Sequence, residues 1–156
     1  MTKGIVDHIG NLELLKLHKT AFLCSRKIPA STVLKCYDWA IAQRKAGNCV
    51  ISGFHSQIEK DVLHYLLKGE QPIIVALARG LKQRLEPGLK AELEKGRLLI
   101  ITPFDKNIKR ITVNTARIRN RLMIELAENI AVGYVRKHGN LEQLISQTGK
   151  GVVCIG

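Results

Sequence analysis

Short apolar runs recur along this chain, separated by longer stretches whose apolar residues follow helical spacing. The runs fall at residues 20–24, 49–51, 72–77, 98–101, 130–135 and 152–155. None shows the strict apolar–polar alternation of a strand with one wet face, so each reads as a strand buried on both sides. Between them, Val33, Tyr37, Ala40 and Ile41 mark a helix over 31–46, which Gly47 ends. Ser56-Gln57-Ile58-Glu59 forms a capping box that opens a second helix, which stops at Gly69. Glu86-Pro87 opens a third, closed by Gly96. Ile118, Leu122 and Leu126 mark a fourth over 115–128, and Leu141, Leu144 and Ile145 a short fifth. Six strand–helix units of this kind predict an α/β fold: a doubly wound, mostly parallel sheet of Rossmann-like type. Residues 1–18 read as a polar lead-in, and 1–156 as a single domain.

Composition narrows the class. With 46% apolar and 24% charged residues the chain is neither disordered nor collagen-like. No apolar run approaches the ~20 residues of a membrane span, and the first residues carry no secretory signal. Cys24, Cys36, Cys49 and Cys154 form no CxxC pair and no zinc-ligand cluster with histidine. Cys24, Cys49 and Cys154 lie in apolar runs, so the cysteines read as small core residues in a reducing cytoplasm, and no metal is expected. Trp39 falls roughly opposite the apolar face of its helix, which predicts an exposed indole.

Charge points to a partner. Lysine and arginine outnumber aspartate and glutamate by 25 to 13, a net +12. An excess of that size in a small domain suits a polyanion or a nucleotide phosphate. In a doubly wound sheet, ligands bind beyond the carboxyl ends of the strands, where strand order reverses. The loops there carry the matching residues. Ser25, Arg26 and Lys27 precede a helix start, whose amides and dipole favour an anion; the alternative is a solvated basic turn. Ser52 and Gly53 end the second strand, and Gly53 allows a phosphate to approach the backbone. His55 follows them with no nucleophile or carboxylate arranged for catalysis. Arg79 and Lys82 flank Gly80. Lys106, Lys109, Arg110, Arg117, Arg119 and Arg121 fall within sixteen positions. Arg117 and Arg121, at i,i+4, repel each other unless an anion neutralises them. Aromatics, at 4%, are too few for rows of base-stacking platforms.

Taken in order, these loops resemble those of the DNA-processing protein A (DprA/Smf) family. Ser25-Arg26-Lys27 is similar to that family's Gly-Ser-Arg-Lys turn, and Val50-Ile51-Ser52-Gly53 to its Val-Val-Ser-Gly. Residues 72–81 resemble the segment carrying its Gly-Cys-Gly-Leu turn, Arg119-Asn120-Arg121-Leu122-Met123 its Arg-Asn-Arg-Ile-Ile, and Asn11-Leu12-Glu13-Leu14-Leu15 its lead-in. The likeness is collinear over nearly the whole chain. It departs at Cys24, which stands for a glycine. It departs again at residues 54–59, 78–80 and 138–140, where glycines and an arginine are replaced.

The resemblance implies a DprA-type Rossmann-like domain that binds single-stranded DNA, dimerises and serves a RecA-type recombinase during natural transformation. Carried over by position, Ser25, Arg26, Ser52, Gly53, Asn120 and Arg121 line the phosphate pocket, flanked by Lys27, Arg117 and Arg119. The expected function is therefore non-enzymatic binding of the DNA backbone, with no cofactor. A nucleotide or phosphoribosyl ligand in the same crevice is the alternative. No GxGxxG, Walker loop, HExxH, nucleophile elbow or phosphoribohydrolase-type Pro-Gly-Gly loop is present, which leaves an enzyme third.

Overall fold

The computed structural model describes residues 4–156; Met1, Thr2 and Lys3, the start of the expected lead-in, lie outside the described residues. Within that span the strands are β1 (Asp7–Gly10), β2 (Lys19–Leu23), β3 (Cys49–Ser52), β4 (Ile73–Ala76), β5 (Leu98–Thr102), β6 (Asn129–Val132) and β7 (Gly151–Cys154). The helices are α1 (Ala30–Ala46), α2 (Gln57–Leu67), α3 (Pro87–Glu94), α4 (Val113–Leu126) and α5 (Asn140–Ser146). All the strands form one sheet in the order β1-β5-β4-β3-β2-β6-β7. Every pairing is parallel except β1 with β5, which places Asp7 opposite Thr102.

Alternate residues of the central strands enter two separate cores, which is why those strands carry no polar face. Phe22, Val50, Ile73, Val75 and Ile100 pack under α1, α2 and α3. Leu23, Ile51, Ile74, Leu99 and Ile130 pack against α4, α5 and the 3-10 helix Leu12–Lys16. The chain winds outward from β2 through β3, β4 and β5, then α4 carries it back to β6 on the other side of β2. Strand order therefore reverses between β2 and β6, as a doubly wound sheet requires.

Local chemistry sets the helix ends. Ser56 and Glu59 form the expected capping box on α2. A second box, Thr112 with Thr115, starts α4 at Val113, two residues before the predicted start. Gly47 ends α1 in the left-handed conformation, with φ 76°.

Three sequence expectations change. The lead-in is not wholly irregular: Asp7–Gly10 forms an antiparallel edge strand, too short and too polar to stand out as an apolar run. Trp39 is half-buried and stacks on Phe22, with ring centroids 5.1 Å apart. The buried stripe of α1 is Thr32, Cys36 and Ala40, rotated from the predicted face, and this brings the indole round to the sheet. Cys24 and Cys49 are core residues, but Cys154 is exposed, because β7 is an edge strand with little packed over it.

Candidate functional site

The point of strand reversal is bridged by the chain itself. After β2, the Ser25 amide donates to the Tyr134 carbonyl at 2.8 Å, and the Ser25 hydroxyl accepts from the Arg136 amide at 2.9 Å. The loops after β2 and β6 are thereby tied across the crevice. Beneath them, a side chain at Gly133 would meet the sulfurs of Cys24 and Cys36, each 2.8 Å from its first carbon. Glycine here is a packing requirement.

Next to this bridge, on the β3 side, a buried cation dominates. Arg119 lies on α4 and is 5% exposed. Its side chain reaches over the sheet's carboxyl edge, where Nη1 donates to the Ala76 carbonyl at 3.2 Å and Nε to Asn120 Oδ1 at 2.8 Å. The guanidinium presses on Gly53 so closely that any Cβ at position 53 would collide with it. Arg119 makes no ion pair among the described residues. Burial pushes its pKa below the ordinary value, and the more distant Glu59 partly opposes that.

Glu59 is itself committed. Its Oε1 accepts the amides of His55 at 3.0 Å and Ser56 at 3.1 Å, so the N-terminus of α2 already holds an anion from its own chain. His55 is pushed below its ordinary pKa, first by desolvation and then by the charge of Arg119, with Arg26 and Lys60 adding to it and Glu59 opposing. Lys60 from α2 and Arg119 from α4 line one hollow with His55 and Gly53. Just before His55, Phe54 is buried at φ 48°, a left-handed conformation that is strained for an aromatic residue.

The remaining predicted residues take varied places. Ser52 is fully buried, and its hydroxyl donates to the Phe22 carbonyl at 2.9 Å, joining β3 to β2. Arg26 and Lys27 are exposed and make no ion pair among the described residues. Asn120 is the acceptor that orients Arg119. Arg117 is half-buried and donates to Asn140 Oδ1 at 2.7 Å, at the start of α5. Arg121 is exposed and borders a shallow hollow with Glu125, Leu144 and Lys150, away from Gly53. The structure therefore brings Gly53, Arg119 and Asn120 together and sets Arg117 and Arg121 on another flank of α4. Lys60 did not stand out in the sequence; its position in the first turn after the capping box was the available signal.

Among the described residues no group of His, Cys, Asp or Glu side chains is arranged to hold a metal ion. No described helix is long and apolar enough to cross a membrane.

The chain matches no known family model and no curated protein by sequence. Its fold does match solved structures. DNA processing protein A from Streptococcus pneumoniae superimposes with a TM-score of 0.73 at 18% identity, over 94% of this chain and 53% of that one. DNA processing protein A from Helicobacter pylori, described for a single-stranded DNA binding mode, gives 0.75 at 17% identity, over 94% of this chain and 69% of that one. The molybdenum cofactor binding protein of Rippkaea orientalis gives 0.63 at 9% identity, over 88% of this chain and 76% of that one. The chain thus spans about half the length of the Streptococcus protein.

Proposed function

We propose that this domain binds single-stranded DNA through its phosphate backbone, without catalysis, along the sheet's carboxyl edge beside β2 and β3. The observation that carries the reading is Arg119, buried against Gly53 and lining one hollow with His55 and Lys60, with no ion pair to Arg119 or Lys60 among the described residues. A buried guanidinium without a carboxylate partner is costly, and a ligand oxygen would offset that cost. Asn120 aims Arg119, Gly53 leaves room for it, and the tethers at Ser25 and Ser52 hold the loops still. Arg26 and Lys27, exposed on the loop after β2, extend the positive track. Such contacts supply affinity without base preference. The fold shared with the two DNA processing proteins supports this choice of polyanion. Pairing into a dimer and delivery of the strand to a RecA-type recombinase belong to the same proposal.

Titration of a labelled oligonucleotide at several salt concentrations tests it. Log affinity falls with log salt by about 0.7 for each phosphate neutralised. Absence of binding at low salt, or affinity unchanged by both Arg26→Ala and Arg119→Met, overturns the reading. A nucleotide or phosphoribosyl ligand at the same edge is the second reading, favoured by the fold shared with the molybdenum cofactor binding protein. It is distinguished by tight one-to-one binding that does not depend on oligonucleotide length.

A further inference from the structure

A cavity of about 600 Å³ opens between α2, α3 and the loops that follow β3 and β4. That volume is within the range of small-molecule sites. Its walls come from four separate parts of the chain: Leu63 and Leu67 on α2, Leu77 just after β4, Leu85 and Leu89 at α3, and Ile100 on β5. All but Ile100 keep partial exposure, so apolar surface stands open to water inside a concave space. Around it lie Lys60, Arg79, Lys82, Arg84 and Lys109, with Arg119 at the side shared with Gly53. Glu86 is the one carboxylate in the lining, and none of these six cations makes an ion pair among the described residues.

The lining also lacks a whole chemical class. It contains no Ser, Thr, Asn, Gln or Tyr side chain. The polar side chains it does hold, His55, His64, Glu86 and the cations, are all ionisable. An aliphatic chain needs no polar partner along its length. Leucine, isoleucine and valine walls meet it directly, and the surrounding cations meet an acid at its end.

From this we infer that the cavity is a binding site for an acyl anion, a small molecule with an unbranched aliphatic chain and a single carboxylate or phosphate head. The chain lies along Leu63, Leu85 and Leu89, and the head sits among the cations. The site shares Gly53, His55, Lys60 and Arg119 with the edge proposed for DNA, while its leucine wall lies outside that edge.

Calorimetry with decanoate, dodecanoate and dodecyl phosphate, each below its micelle concentration, tests the inference and separates the two head groups. One saturable site is expected, with affinity falling about fourfold for each methylene removed. 1-Decanol should bind at least tenfold more weakly than decanoate. Leu89→Glu and Leu85→Gln should each weaken dodecanoate at least tenfold while melting near the parent temperature; two substitutions guard against one that merely unfolds α3. Arg26→Ala should leave dodecanoate affinity unchanged even if it abolishes oligonucleotide binding, so the two readings can fail separately. The inference is overturned by absence of saturable binding, by unchanged affinity in both leucine variants, or by displacement of dodecanoate by adenosine monophosphate at equal concentration.

Discussion

The two edges of the sheet use positive charge in opposite ways. At the amino edge, cations are consumed by the fold. Lys19, 3% exposed at the start of β2, donates to the Leu15 and Leu17 carbonyls at 2.8 Å and to Glu128 at 3.2 Å. Arg97, just before β5, donates to the carbonyls of Leu66, Leu67 and Gln71 and pairs with Glu92 at 3.1 Å. Lys150, just before β7, closes the end of α4 through the carbonyls of Ile124, Glu125 and Ala127. Each satisfies carbonyls that a helix end leaves over. At the carboxyl edge, Arg26, Lys60 and Arg119 have no carboxylate partner among the described residues, and the backbone there is strained at Phe54 and His138, with φ of 48° and 61°. At the amino edge the positive φ values at helix ends, Gly47 and Gly96, belong to glycines. At one edge these cations are taken up by carbonyls and carboxylates; at the other they have no carboxylate among the described residues and the backbone is strained. Net charge alone therefore overstates what is free for a partner.

Substitutions can break this contrast. The largest expected loss is for Arg97→Met, about 3–5 kcal/mol, because Glu92 and three carbonyls lose a buried partner; chemical denaturation measures it, and oligonucleotide affinity of the folded fraction should not change. Arg119→Met removes two hydrogen bonds and no ion pair, so about 1–2 kcal/mol is expected. Its binding loss should exceed tenfold. If Arg119→Met proves as destabilising as Arg97→Met and leaves binding intact, the two edges do not differ in kind. Arg26→Ala should alter stability by less than about 0.5 kcal/mol and flatten the salt slope by about 0.7.

Acid distinguishes the edges as well. The pKa of Glu128 is lowered: burial works against its charge, but the Lys19 amide and ammonium outweigh burial. A carboxyl depressed in the folded state stabilises the fold above its unfolded pKa, and this is lost as pH falls through the folded one. The pKa of His55 is also lowered, so the unfolded chain takes up its proton first. That contribution is present above about pH 6.5 and is lost as pH falls from there to the folded value. A bound polyanion favours the imidazolium and raises the pKa of His55. NMR titration with and without oligonucleotide should show that rise at His55; equal values in both states would remove it from the site. At His138, glycine relieves the left-handed backbone and should add up to about 1 kcal/mol of stability, which thermal denaturation measures.

The sequence made the layers of this fold legible because strands buried on both faces leave continuous apolar runs. It concealed β1, whose residues alternate around an edge. It suggested a buried Cys154, since an apolar run does not say whether its strand is central or at a margin. At the candidate site the loops were readable and the side-chain partners were not. Nothing in the letters of Lys19 or Arg97 separates them from Arg26, because carbonyls from distant segments decide their roles. Arg119 read as a flanking residue, yet it lies at the centre, since helical spacing places it toward the sheet and Arg121 on another side. The cavity was illegible for the same reason: its leucines come from elements that meet only in three dimensions.

The contact between Gly53 and the Arg119 guanidinium ties two positions 66 places apart in the chain. Alanine at 53 has room only once the arginine is gone, so the penalty for one change depends on the other. A library that randomised each position singly would keep returning the starting pair, and variety would emerge only when both were varied together.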